Sequence, residues 1–294
     1  MNTEPEVFET RYGKFSASAT TDLRSYERFK RNLYPQSKDI EFLKHFFTPE
    51  SIVLDIGAHI GTLTIPFAAK AKKVYSFEPT PTTRSYLEKN IALNNLQNVT
   101  VFPFALGSKD ADIFIHVTSD LDAGQNTLSE KDGIPVAVRR LDDLVQKADA
   151  IKIDVEGFEC EVFEGGRKLL TTQHPAIFSE INFGQLWSHN SSPAKVEALL
   201  RSMGYDIYLP LGETKIGKVS NLSLITGLIF PAFFVRKYRN VALDILAIQT
   251  SAIPSTIKIL SPFETILWTL AHKTTLNIKE HLENIGRRFG MKID

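Results

Sequence analysis

The sequence of 294 residues predicts an α/β protein: a doubly wound, mostly parallel, seven-stranded sheet with helical additions at both ends. Three observations carry this. Ser51 to Thr64 (SIVLDIGAHIGTLT) reads as a buried strand, a glycine turn and the start of a helix. Short apolar runs then alternate with helix-patterned segments across residues 51–252. The second strand ends in Glu78, 21 positions after Gly57, near the offset at which an acidic side chain grips ribose hydroxyls in such sheets.

Residues 1–50 are expected to form an N-terminal helical extension, with Ile40, Leu43, Phe46 and Phe47 at helical spacing and Thr48-Pro49 as the stop. Ile52, Val53 and Leu54 make the continuous apolar run of a strand buried on both faces. Asp55 ends it, and Gly57, Ala58 and Gly61 form a tight turn whose glycines admit positive φ or a closely approaching ligand. Leu63, Ile65, Phe67 and Ala68 continue as a helix, with Pro66 early enough to be tolerated. Further strands are predicted at Lys73 to Phe77, Val99 to Phe104, Ala150 to Asp154, Ala176 to Glu180, Tyr205 to Leu209 and Val241 to Gln249. Ala111 to Val117 and Pro135 to Arg139 alternate, as half-exposed antiparallel strands do.

Two segments fall outside that scheme. The insert 210–240 holds an apolar stretch, Asn221 to Val235, broken by Gly227 and Pro231 and followed by Arg236, Lys237 and Arg239. It is read either as a lid at the active-site mouth or as a hydrophobic cap on the sheet or on a second subunit. Its basic residues suit anionic headgroups, a peripheral membrane contact. Residues 253–294 read as amphipathic helices, with Ile278, Leu282, Ile285 and Phe289 on one stripe.

Composition narrows the partners. Lys plus Arg and Asp plus Glu both number 34, so no electrostatic argument favours nucleic acid. The single cysteine, Cys160, excludes an internal disulfide framework and a zinc cluster and fits a reducing, cytoplasmic setting. No apolar run reaches the roughly 18–20 residues that span a bilayer.

The turn D-x-G-A-x-x-G lacks the third glycine of a dinucleotide fingerprint. Asp55 would repel a pyrophosphate but suits an ammonium or a sulfonium. Glu78 accepting two ribose hydroxyls contributes roughly 1.5–3 kcal/mol per charge-assisted bond. A nucleoside joined to a cationic amino acid, without phosphate, describes S-adenosylmethionine. In the fourth strand, AIKIDVEGFE, Asp154 lies beside the reacting centre, with Glu156 and Glu159 in the same turn. These acids answer to a sulfonium, a substrate hydroxyl or a divalent metal, or Glu156 and Glu159 cap the next helix. The carboxylates do not establish a metal site. Glu180, closing the fifth strand, is a further candidate, and His59 in the glycine turn faces cofactor, substrate or solvent.

The segments LDIGAHIGTLT, FEP, NNLQNVTVFPFALG, RLDDL, AIKIDVEGFECEVFEGG and HPAIFSEIN resemble the successive motifs of FkbM-type S-adenosylmethionine-dependent methyltransferases, from about residue 40 to 250. The resemblance implies a Rossmann-like class I methyltransferase fold and O-methylation of a sugar, glycolipid or secondary metabolite. It implies cofactor binding by Asp55, Gly57, Ala58, Gly61 and Glu78, with Asp154 and Glu156 facing the reaction. The third strand ends in Phe104-Ala105 without the acidic residue many methyltransferases use near adenine, so backbone groups and packing would take that role. Alignment of oxygen, methyl and sulfur supplies about 7–11 kcal/mol, and a base adds roughly 10²–10⁴ in rate. Asp154 is the first choice for base or substrate clamp and Glu180 the second. N- or carboxyl-methylation, or a non-catalytic cofactor-binding scaffold, are the rival readings.

Overall fold

Among the described residues seven strands match the predicted core, but they lie in a mixed sheet of nine. The computed structural model describes residues 4–116, 127–129, 133–222 and 242–271. In chain order the first elements are β1 (Glu6–Thr10), β2 (Gly13–Ala17), α1 (Leu23–Lys30), α2 (Ser37–Leu43) and β3 (Ile52–Ile56). Next come α3 (Thr64–Ala68), β4 (Lys73–Phe77), α4 (Pro81–Leu93), β5 (Val99–Phe102), β6 (Ala105–Leu106), β7 (Ala111–His116), β8 (Thr127–Ser129) and β9 (Ile134–Arg139). Then follow α5 (Leu141–Leu144), β10 (Ala150–Ile153), α6 (Glu159–Gly165), α7 (Arg167–Gln173), β11 (Ala176–Asn182), α8 (Phe183–Ser188) and α9 (Pro193–Ser202). The last are β12 (Asp206–Gly212), β13 (Lys215–Val219), β14 (Ala242–Ile248), β15 (Lys258–Leu260) and α10 (Pro262–Ala271).

The main sheet has the order β15-β13-β12-β14-β11-β10-β3-β4-β5. β3, β4, β5, β10 and β11 are parallel. β14 slots antiparallel between β11 and β12, so β12 runs with the core. The expected seven strands are therefore joined by β13 and β15, which extend the β12 edge. Both are short strands, β15 at the edge, in segments read as insert and C-terminal tail, where pairing rather than apolar patterning defines them. The parallel strands alternate their side chains between two apolar layers. Leu54, Ile56, Ile151 and Ile153 pack with Phe163 and Leu200 on one face. Val53, Val74 and Phe178 pack with Phe42 and Phe67 on the other. β7 and β9 pair antiparallel as predicted, in a separate sheet with β6 and β8.

The N-terminal extension is not simply helical. β1 and β2 form an antiparallel hairpin, α1 follows, and α2 ends at Leu43, before Phe46 and Phe47. Phe8 and Phe15 sit opposite each other in the hairpin register, and Phe15 and Phe29 form a stacked pair beneath it. Most of Asn221 to Val235, together with Arg236, Lys237, Arg239 and the stripe Ile278, Leu282, Ile285 and Phe289, lies outside the described residues. Among the described residues no helix is long and apolar enough to cross a membrane.

Candidate active site

The carboxyl end of the parallel strands places a charged row in the sheet. Lys152 on β10, Asp55 on β3 and Ser76 on β4 are register partners across three adjacent strands. Thr64 donates its hydroxyl to Asp55 Oδ2 at 2.6 Å, and the Thr64 and Ser76 hydroxyls lie 3.0 Å apart. The Lys152 ammonium donates to the Gly57 carbonyl at 3.1 Å. It lies 3.5 Å from Asp154 Oδ2 and 3.8 Å from Asp55 Oδ1. Burial works to lower the Lys152 pKa, but Asp154, Asp55 and Glu180 outweigh it and hold the group above its ordinary value. Burial raises Asp55, against the pull of Lys152 and the Thr64 hydrogen bond. Asp55 is fully enclosed and contacts Thr64 and Lys152 behind the loop.

The glycine loop folds back over β4. The N–H groups of Gly57 and Ala58 both donate to the Phe77 carbonyl at 3.0 Å. Gly57 stands at φ +77, and a Cβ there would run into the Asp154 carbonyl oxygen. The glycine is thus demanded by the neighbouring strand. Gly61, at φ +92, packs against Leu87 of α4. His59, at φ +53, donates its backbone N–H to Glu78 Oε2 at 2.9 Å, and the Thr80 N–H donates to Oε1 at 2.9 Å. Burial raises the Glu78 carboxyl above its ordinary range, opposed chiefly by His59. Each Glu78 oxygen keeps a second lone pair for another donor.

Across the sheet, the turn after β10 carries Glu156 at φ +50 and Gly157 at φ +97. Asn182 donates its amide to Glu156 Oε2 at 3.3 Å. The Gly157 N–H donates to Glu159 Oε1 at 3.1 Å, and burial pushes the Glu159 carboxyl up to about 7. Glu180 on β11 is directly opposite Asp244 on β14. Like charges so placed repel. Glu180 is held well above the carboxylate range, first by Asp154, then by burial and Asp244. Asp244 is raised well above its ordinary value by burial and then by Asp39 and Asp154. Asp39, on α2, is pushed up to about 7 by burial and then by Glu180. Lys152 offsets all three, and Arg24 from α1 also acts on Glu180. These carboxyls titrate as one group and not as separate sites.

The predicted residues thus fall into two adjoining sets: Asp55, Gly57, Ala58, His59, Gly61 and Glu78 around the loop, and Asp154 and Glu180 around Lys152. Glu156 turns to Asn182. Phe104 has the Arg139 guanidinium 5.4 Å from its ring centre and Phe102 beside it, while Ala105 opens the small sheet as a partner of Val138. Among the described residues no group of three His, Cys, Asp or Glu side chains is arranged to hold a metal ion. Sequence reasoning missed Lys152 and Asp244, although a charge inside an otherwise apolar strand was a readable signal in AIKID and ALDIL. It also missed Asp22, whose Oδ2 lies 3.6 Å from His59 Nδ1, and Arg24 and Asp39, all of which only the tertiary fold brings here.

The family model for the Methyltransferase FkbM domain matches residues 55–207, just over half of the chain. Methyltransferase 1 of Beauveria bassiana is 25% identical over 191 residues, covering 55% of this chain and 74% of that protein. The 2-O-methyltransferase NoeI of Sinorhizobium fredii is 29% identical over 189 residues, covering 56% of this chain and 76% of that protein. The hexuronic acid methyltransferase AglP of Haloferax volcanii is 29% identical over 142 residues, covering 46% of this chain and 58% of that protein.

Proposed function

This chain belongs to the FkbM methyltransferase family and is an S-adenosylmethionine-dependent enzyme, and from that premise we propose that it methylates a hydroxyl oxygen of a saccharide-type acceptor. The observation that carries the reading is the placing of Glu180 directly opposite Asp244 and near the Asp154–Lys152 pair, a crowding of carboxylates that raises its pKa. An alcohol is a poor nucleophile until a base takes its proton, and a carboxylate of raised pKa is a stronger base than an ordinary one. Two relatives bear names that point the same way, one a 2-O-methyltransferase and one acting on hexuronic acid.

The loop residues fit the cofactor. Glu78 has acceptor capacity beyond the two N–H groups it already holds, and His59 Nε2 is buried without a hydrogen-bond partner. Glu78 would hold the ribose hydroxyls, with the backbone of Gly57, Ala58 and Gly61 shaping the loop around the nucleoside. Phe104 and Ala105 are the proposed adenine-side residues. When bound, S-adenosylmethionine supplies an electrophilic methyl group. Glu180 would take the proton of the acceptor hydroxyl. Asp154, fixed by Lys152, would orient that hydroxyl, with Glu156 at the rim of the same turn.

The test is incubation with methyl-labelled S-adenosylmethionine and separate panels of hexuronic acids, neutral glycosides, amines and simple carboxylic acids. The expected product is an alkali-stable methyl ether. An alkali-labile ester or an N-methyl product overturns the hydroxyl assignment. The rate should rise with pH as the coupled cluster of Glu180, Asp244 and Asp39 loses a proton. Asp154→Asn removes the largest influence raising Glu180, so the acid limb of the pH–rate profile should move to lower pH. An unmoved limb would place the base elsewhere.

A further inference from the structure

The glycine loop is gripped by residues outside the family-matched stretch. Tyr34 donates its hydroxyl to the Thr62 carbonyl at 2.7 Å, and Thr62 donates its own to the Gln36 side-chain oxygen at 2.7 Å. Asp22 meets the same loop at His59. Asp22 is buried, and its Oδ1 accepts the Ser25 N–H at 3.0 Å, capping α1. Its other oxygen, Oδ2, has no hydrogen-bond partner and lies 3.6 Å from His59 Nδ1. That is an ion-pair distance and not a hydrogen bond, and a negative acceptor at this distance favours a proton on the ring nitrogen facing it. That leaves Nε2, which is buried and has no hydrogen-bond partner in the protein. The backbone of the same residue is tied to Glu78, so one residue links Asp22 to the carboxylate assigned to the ribose.

We propose that Asp22 is a positioning residue for cofactor binding: it fixes the His59 imidazole with its proton on Nδ1, presenting Nε2 as an acceptor to a donor group of the nucleoside cofactor held at Glu78. This rests on the reading of the loop as the S-adenosylmethionine site. It makes the N-terminal hairpin and α1 part of that site, since they deliver Asp22. A helix cap alone explains Oδ1 of Asp22 but not the placing of Oδ2 near a histidine whose far nitrogen is buried without a partner in the protein.

Asp22→Ser separates the two roles. Serine keeps a strong cap for α1 but is too short to reach His59. Calorimetry on the full chain with S-adenosylhomocysteine should show about tenfold weaker binding for Asp22→Ser, the scale of one lost hydrogen bond, with the melting temperature near wild type. His59→Ala should weaken binding similarly, and the double variant should show no further loss, as expected of residues acting in series. Unchanged affinity in Asp22→Ser reduces Asp22 to a cap and overturns the proposal. Nitrogen-15 shifts of His59 in the wild-type protein give a readout that needs no variant: a protonated Nδ1 is expected, and a neutral ring protonated at Nε2 overturns it. A wild-type chain that does not bind S-adenosylhomocysteine would fail the loop reading and this proposal together. Binding by wild type with full affinity in Asp22→Ser fails this proposal alone.

Discussion

A carboxyl enclosed as fully as that of Glu159 is costly to ionise. Its pKa of about 7 in the folded chain exceeds the ordinary value of 4.5, so between those pH values the native state holds a proton that the unfolded state has released. Stability from this group is full below pH 4.5 and falls as pH rises to about 7, by about 3 kcal/mol in all. Glu159→Gln removes that loss while keeping an oxygen for the Gly157 N–H. Urea denaturation should show the variant gaining on wild type between pH 5 and pH 8, and an equal difference at both pH values would mean that no such proton is held. The residue scale is also where the sequence was hardest to read. The aspartate at the end of β3 announced a functional strand end, but Asp55 turns inward because Lys152, two strand positions before Asp154, supplies its counter-charge. Gly57 announced a tight turn, but the carbonyl it must clear belongs to a strand nearly a hundred residues away. Residue type was legible in both cases. The neighbour was not, because strand order decides it.

At the scale of elements, the βα alternation from β3 to β14 was legible because strands buried on both faces leave continuous apolar runs that no surface loop shares. The hairpin β1–β2 was not, since two five-residue strands carry too little pattern to be read, and consecutive Phe15, Ser16 and Ala17 are buried without apolar alternation. Side chains of another element help secure the hairpin: Asn94, capping α4, accepts the Lys14 N–H at 2.8 Å and donates to the Lys14 carbonyl at 2.7 Å. Asn90 of α4 is fully buried, accepts the Ser16 N–H at 2.6 Å, and donates to the carbonyls of Ser16 at 3.3 Å and Ile60 at 2.8 Å. It thereby joins β2, α4 and the glycine loop. Asn90→Ala leaves buried backbone groups without partners, each worth about 1–3 kcal/mol. The variant should lose about 3 kcal/mol in chemical denaturation and bind S-adenosylhomocysteine more weakly. A loss below about 1 kcal/mol would show that the hairpin is held by Asn94 and its apolar contacts instead.

Over the whole molecule, the matched family stretch of residues 55–207 is not a self-contained body. Strands β14 and β12 complete the sheet from beyond or across its C-terminal limit, with Asp244 contributed to the acid cluster. On the opposite side, Phe15, Tyr26 and Phe29 form one apolar cluster with Ile60 and Ile65, so the glycine loop and α3 bury much of their outer face against the N-terminal unit. Ile40, Phe42 and Leu43 likewise cover the sheet beside Val53, Phe178 and Leu246. A chain beginning at residue 46 would expose both surfaces in a contiguous apolar patch and lose Asp22 and Asp39 from the site. It should aggregate or unfold without a cooperative transition, and it should not bind S-adenosylhomocysteine. A truncated chain that melts cooperatively near the full-length temperature, and binds with full affinity, would make the N-terminal unit an appendage. The stitching of Thr62 to Tyr34 and Gln36, and of Ile60 to Asn90 and Ser16, argues instead that the cofactor loop takes its shape from both sides of the sequence at once.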